Sequence, residues 1–206
     1  ENHTIHELPT LDGYDCRTVA IDQAIAESDS YLMVGLRESY DCISQALFNM
    51  AGKAWQILYW DKTTVFCSVC GTQLQPFMPI AKKCPTCGQE VFPNISTAIL
   101  ALVRKGDEIL LVRARNFRGS HYGLVAGFLE TGETLEECVK REVMEETGLT
   151  VDNITYFGNQ PWPFPSGLMV GFTADYVSGE INLQDDELSE AAFFSLDNLP
   201  ELPRKL

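Results

Sequence analysis

The sequence predicts an α/β protein in three segments. These are a small α+β N-terminal domain over residues 1–65, a four-cysteine metal unit over residues 66–93, and an alternating α/β domain over residues 94–206. Three observations lead there. Apolar runs of strand length surround one capped helix in the last segment. Two CxxC pairs stand just before it. Nowhere does an apolar run approach the ~20 residues that cross a bilayer, so no membrane association is expected. Hydrophobic residues make up 45% and charged residues 21%, a globular rather than a disordered balance.

Within residues 1–65, Tyr31–Leu36 reads as a strand and Cys42–Trp60 as a helix interrupted at Gly52. No chemistry can be named there, and the expected role is packing or dimerisation. In the last segment Ser96–Val103 and Glu108–Arg113 read as strands joined by the turn Lys105-Gly106-Asp107. A Gly-rich loop, Gly119–Gly132, leads into a helix over Thr134–Thr147, closed by Gly148. Ile154–Phe157, Leu168–Val177 and Ala191–Ser195 read as further strands. The chain opens on Glu1 rather than Met, with no signal-peptide pattern, so its natural N-terminus is expected to lie further upstream.

The metal unit is carried by Cys67, Cys70, Cys84 and Cys87, with Gly71 and Gly88 after the two pairs. Each CxxC can form a knuckle whose backbone N–H groups point at thiolates, and two knuckles supply a tetrahedral Zn²⁺ site. A closed four-thiolate site leaves no open position for chemistry, so a structural staple is preferred to a partner-binding role. A redox CxxC needs only one pair. Seven cysteines in this pattern suit a reducing compartment, and the cytoplasm is expected. Cys138 reads as a small buried apolar residue.

The formal net charge of −14 opposes direct contact with phosphates, so a phosphate substrate calls for divalent cations between it and the protein. A helix can supply their ligands. Glu142, Glu145 and Glu146 follow the i, i+3, i+4 spacing that lines one face. Their mutual repulsion is offset by a hard cation such as Mg²⁺ or Mn²⁺, which prefers oxygen ligands. Arg141 can orient a carboxylate through two hydrogen bonds, with Glu133 as its brace, and Val143 and Leu149 face the core. Taken alone, three glutamates equally describe a solvated acidic face.

The longer pattern is more specific: Gly127, five residues, Glu133, seven residues, then Arg141-Glu142-Val143-Met144-Glu145-Glu146-Thr147-Gly148-Leu149. It resembles the Nudix hydrolase family, whose box it matches without departure. The resemblance implies an α/β/α sandwich with a mixed sheet and metal-dependent cleavage of a nucleoside diphosphate linked to a second moiety. Glu142, Glu145 and Glu146 would bind metal or position water, joined by the Ala126 carbonyl and by Glu187 of the acidic run Asp185-Asp186-Glu187.

A second segment narrows the substrate. Gln160, Pro161, Trp162, Pro163, Phe164, Pro165 and Ser166 combine backbone-restricting prolines with two flat aromatic faces. By composition this is a proline-rich surface loop. Beside the zinc unit and the box it resembles the NADH pyrophosphatase subfamily, with Asn159 and Gly167 in place of the two flanking serines. The resemblance implies NADH or NAD as substrate, AMP and nicotinamide mononucleotide as products, Phe128 and Phe92 (where the family has Tyr) as stacking residues, and a homodimer. It also implies that the family's C-terminal helix is truncated or divergent at Leu206. Rival readings are hydrolysis of ADP-ribose, removal of an NAD cap from RNA with Lys82-Lys83 as the RNA contact, and a non-catalytic nucleotide or interaction module. No GxGxxG follows a strand, so the dinucleotide is expected to be consumed rather than used for redox. Only His3, His6 and His121 are present, and none is expected to act as the base.

Overall fold

The computed structural model describes residues 4–115, 121–183, 187–200 and 202. His3, Gly119, Asp185, Asp186 and Leu206 therefore lie outside the described residues. The chain divides into two compact units, residues 1–95 with 161–166, and residues 96–160 with 167–206.

The first unit starts with an antiparallel hairpin, β1 (Ile5–Leu11) and β2 (Tyr14–Val19). Tyr31–Leu36 forms no strand. Only an isolated bridge, Ser28 to Tyr31, appears there, and Tyr31 and Leu32 are exposed, so no second strand buries the run. Helix α1 (Gln45–Thr63) is capped by Ser44, whose hydroxyl accepts from Leu47 N–H. It buries Phe48, Ile57 and Trp60. Gly52 does not interrupt it. A Cβ there would sit 2.9 Å from Cγ of Pro163, so this glycine makes room for the proline-rich segment. Three short strands, β3 (Gln75–Met78), β4 (Ala81–Lys83) and β5 (Glu90–Val91), complete the unit as an antiparallel sheet. One charge cluster ties its pieces together. His6 of β1 meets Asp61 of α1 at 3.3 Å, and Lys82 of β4 reaches the same carboxylate at 2.7 Å.

The second unit is a six-stranded mixed sheet. Its strands are β6 (Ser96–Lys105), β7 (Glu108–Ala114), β8 (Val125–Phe128), β9 (Thr150–Trp162, whose last two residues join the first unit), β10 (Gly167–Ser178) and β11 (Leu188–Ser195). The order is β11-β7-β6-β10-β9, with β8 added to β6. Strand β6 runs parallel to β10 and antiparallel to β7 and β8. That central position explains its apolar run, in which Ala98, Ile99, Ala101 and Val103 are all buried. Strand β8 falls inside the Gly-rich stretch and, at four residues, is too short to show by pattern.

Helix α2 (Leu135–Thr147) packs on β6 and β8 and is the one α-helix of this unit among the described residues. Thr134 accepts from Glu137 N–H at 3.2 Å, and Glu137 accepts from Thr134 N–H at 2.8 Å, a closed capping box, with Gly148 ending the helix. Its buried stripe is Cys138, Val139, Glu142, Val143, Glu146 and Thr147. Two glutamates thus occupy positions that the fold takes out of water. No helix among the described residues is long and apolar enough to cross a membrane.

Candidate metal and diphosphate site

Helix α2 presents its carboxylates to β8. Gly127 of β8 is what lets Glu142 in. A Cβ on Gly127 would lie 1.8 to 2.2 Å from the Glu142 carboxyl atoms, so the carboxylate occupies the space any other residue would fill.

Arg141 organises the cluster. Its Nε and Nη2 donate to the two oxygens of Glu133 at 2.6 and 3.0 Å, a two-pronged pair. Its Nη1 donates to Glu142 at 2.8 Å and Glu145 at 3.0 Å, and its Nη2 also donates to the Phe128 carbonyl at 3.0 Å. Hydrogen bonding to Arg141, and then the Glu130 N–H, holds the Glu133 carboxyl at about 2.

Glu142 and Glu146 behave differently. Burial pushes the Glu142 pKa up although Arg141 stands beside it. Glu146 has no such partner among the described residues. It is 7% exposed, and its Oε2 is buried with no hydrogen-bond partner among the described residues. Burial first, then the charges of Glu142, Glu187 and Glu145, push its pKa up to about 8. An orphaned carboxylate oxygen among other carboxylates is an arrangement that a hard cation completes, and oxygen donors suit Mg²⁺ or Mn²⁺. Glu146 and Ala126 line one pocket of about 160 Å³ with His121, Tyr122 and Leu188.

The other predicted site residues fall as follows. Ala126 of β8 pairs with Leu100 of β6. Glu187 is exposed just before β11, its carbonyl accepting from Arg115 N–H at 2.9 Å. Glu145 is exposed and Phe128 is 66% exposed. In the first unit Phe92 is 48% exposed, Pro163 is buried, and Trp162 and Phe164 are half-buried with their rings edge to face at 5.2 Å. Gln160 ends the β9 portion belonging to the second unit, and Pro161 and Pro165 are exposed. Ser166 donates to the Asn94 carbonyl at 2.8 Å, and Gly167 opens β10 opposite Ser96. Asn159 donates to the Tyr156 hydroxyl at 2.5 Å.

One network escaped the sequence reading. Glu190 of β11 accepts from Arg113 at 2.6 Å and from Tyr122, which packs edge to face on Phe194. It braces the pocket wall, and no spacing rule links residues so far apart in the chain. Lys82 is not an exposed RNA contact. It is 9% exposed and donates to the Asp61 and Thr64 carbonyls at 2.7 and 2.8 Å. Lys83 is exposed and paired with Glu90 at 2.9 Å.

The four cysteines of the metal unit converge. Their sulfurs lie within 4.8 Å of one another, with Cys67–Cys87 at 3.6 Å and Cys70–Cys84 at 3.4 Å. Tetrahedral Zn²⁺ at about 2.3 Å from each sulfur needs a spacing of roughly 3.8 Å, so the donor set fits. Both knuckles share one backbone pattern. Gly71 N–H donates to the Cys67 carbonyl and Gly88 N–H to the Cys84 carbonyl, with both glycines left-handed. Hydrogen bonding with Thr72 lowers Cys70 to about 6, while the neighbouring thiols help push Cys87 up to about 12.

The NUDIX domain family matches residues 93–206, and the family described as the NADH pyrophosphatase-like rudimentary NUDIX domain matches residues 2–60. A Pseudomonas aeruginosa protein named NAD-capped RNA hydrolase NudC is 48% identical over 157 residues, 76% of this chain and 56% of that protein. A Haemophilus influenzae protein of the same name is 43% identical over 182 residues, 86% of this chain and 69% of that protein. The chain thus spans little more than half of the Pseudomonas relative. A NUDIX hydrolase structure from Nitrosomonas europaea superposes with a TM-score of 0.57 at 23% identity, covering 66% of this chain and 80% of that one, a likeness of fold alone.

Proposed function

The chain belongs to the Nudix family, and from that premise we propose that it hydrolyses the diphosphate of NADH or NAD to AMP and nicotinamide mononucleotide. The observation that carries the chemistry is the buried, unpartnered Oε2 of Glu146 beside Glu142. Glu142, Glu146, Glu187 and the Ala126 carbonyl would hold Mg²⁺ or Mn²⁺, with Glu145 a further ligand or the positioner of the attacking water. Such ions, when bound, neutralise diphosphate charge and lower the pKa of a bound water. Arg141 holds the register of Glu142 and Glu145 through Glu133 and the Phe128 carbonyl.

The substrate assignment is supported by the family match over residues 2–60, the names of the relatives and the Gln160–Ser166 segment, whose aromatic faces suit the nicotinamide end. Phe128, highly exposed, suits a base. NAD at an RNA 5′ end carries the same bond, and the relatives' names support that substrate too. We assign the four thiolates to structural Zn²⁺ and place the protein in the cytoplasm, where the seven free cysteines stay reduced. A second copy is assigned to the exposed apolar run Tyr31, Leu32 and Met33, giving a homodimer.

The deciding experiment is product analysis of NADH cleavage with Mg²⁺ or Mn²⁺, with and without EDTA, for wild type and Glu146→Gln. AMP and reduced nicotinamide mononucleotide are expected from wild type, with loss of turnover in the variant. Full metal-dependent activity in Glu146→Gln would overturn the assignment. Faster cleavage of ADP-ribose than of NADH would move the substrate to that class.

A further inference from the structure

Two chain segments flank the pocket that Glu146 lines. Residues 121–124 lead into β8, which carries Ala126, and Glu187 stands just before β11, which opens with Leu188. Glu190 joins the two segments. Its Oε2 accepts from the Tyr122 hydroxyl, and its Oε1 accepts from Arg113 Nη2 at 2.6 Å. The β7–β11 register sets Glu190 opposite Arg113, and Arg113 Nε also donates to Ser189 Oγ at 3.2 Å. The carboxylate is thus anchored to the sheet where Tyr122 meets it. Tyr122 is seated as well. Its ring packs edge to face on Phe194 at 5.2 Å, and the next residue, Gly123, exchanges backbone hydrogen bonds with Val112 at 2.8 and 2.9 Å. The hydrogen bond to Glu190 pushes the Tyr122 pKa up, so the phenol remains the donor.

We infer that Glu190 is a positioning residue for the diphosphate site, holding through Tyr122 the segment that enters β8 and the start of β11 at a fixed separation around Glu146. The inference rests on the reading that Glu146, Glu187 and the Ala126 carbonyl together hold the catalytic cation. Those donors come from three separate places in the chain: α2, the approach to β11, and β8. Strand β8 is paired to β6 and β11 to β7, and no ladder among the described residues joins β8 to β11. The Tyr122–Glu190 hydrogen bond spans that gap with side chains. A small hard cation tolerates little change in the spacing of its oxygen donors, so slack between the two segments is felt at the metal. Glu190 spends both oxygens on Arg113 and Tyr122, and its part is therefore placement and not ligation. A hydrogen bond to a charged acceptor suits that task, being stronger than one between neutral groups.

The test measures Mn²⁺ affinity by electron paramagnetic resonance, with kcat and KM on NADH, on zinc-loaded protein. The proteins are wild type, Tyr122→Phe, Glu190→Ala, Glu190→Gln and the double variant Tyr122→Phe with Glu190→Ala. Tyr122→Phe removes only the hydroxyl and leaves the ring to pack on Phe194. Tyr122→Phe and Glu190→Ala are each expected to weaken Mn²⁺ binding and to lower kcat about tenfold, equivalent to ~1.4 kcal/mol. KM for NADH should stay within about twofold, since the lost placement concerns the metal and not uniform substrate binding. The double variant should lose no more than Glu190→Ala alone, because both changes remove one link. Glu190→Gln keeps an oxygen acceptor for Tyr122 and should stay within about threefold of wild type. Wild-type Mn²⁺ affinity and kcat in Tyr122→Phe overturn the inference, and so do losses that multiply in the double variant. A lowered Tm with Mn²⁺ affinity and kcat kept also overturns it, marking the bond as structural only. Should wild type bind Mn²⁺ without cleaving NADH, the proposed function falls, and the Mn²⁺ affinities alone decide the role of Glu190. Absence of Mn²⁺ binding by wild type overturns both. If Glu190→Ala melts below the assay temperature by circular dichroism, Tyr122→Phe and Glu190→Gln carry the test.

Discussion

Replacing Glu146 by Gln is expected to stabilise the metal-free protein at alkaline pH. The side chain is 7% exposed, and its pKa is raised from 4.5 to about 8 by burial and by the charges of Glu142, Glu187 and Glu145. A carboxyl with a raised folded pKa keeps a proton that the unfolded chain has released. Stability from this group is therefore intact below about pH 4.5 and falls as pH rises, the loss being complete above about pH 8. At 1.36 kcal/mol per pH unit, that window sets an upper limit of about 5 kcal/mol. Gln cannot ionise and escapes the loss. At ~2–4 °C per kcal/mol for a chain of this size, half the limit places the Tm of the variant about 5–10 °C above wild type near pH 9 in EDTA, with little difference near pH 4.5. Saturating Mn²⁺ should reverse the order, because a cation replaces the proton on wild-type Oε2 and gains little from the amide. Thermal melts across pH, with EDTA or Mn²⁺, read both effects. Coincident melts near pH 9 without metal, or equal stabilisation of both proteins by Mn²⁺, would refute the reasoning.

Gly127→Ala places a Cβ 1.8 to 2.2 Å from the Glu142 carboxyl atoms, so Glu142 must leave. A misplacement of that size is expected to lower kcat about 100-fold, measured on NADH. Arg141→Lys keeps the charge but loses the fork on Glu133 and the shared contacts to Glu142 and Glu145. A comparable fall in kcat with a Tm change of only a few degrees would separate positioning from folding. Cys84→Ser, at a buried member of the thiol cluster, should lose the one zinc per chain expected by atomic absorption and lower the Tm of the first unit.

Much of the site is local and so was readable in advance. The capping box at Thr134 and Glu137, the helix stop at Gly148 and the two CxxC knuckles all depend on residues within a few positions of each other. The i, i+3, i+4 spacing of Glu142, Glu145 and Glu146 likewise follows from helix geometry alone. Where a run's outcome depends on a distant neighbour, pattern misled or was silent. Tyr31–Leu36 has strand composition but no strand to pair with, and Gly52 reads as a break until Pro163 is seen beside it.

By itself the sequence determined the chemistry on offer: which carboxylates share a helix face, which thiols can meet, and which reaction class they serve. Only the tertiary structure decided what each group experiences. Packing of α2 on β8 buries Glu142 and Glu146, leaves Oε2 of Glu146 without a partner among the described residues, and hands Arg141 to Glu133. Folding also brings Arg37 over Trp162 and hides Lys82 against Asp61. Burial and charge pairing act through space. Their strength depends on distances and dielectric surroundings that exist only once remote segments have packed together.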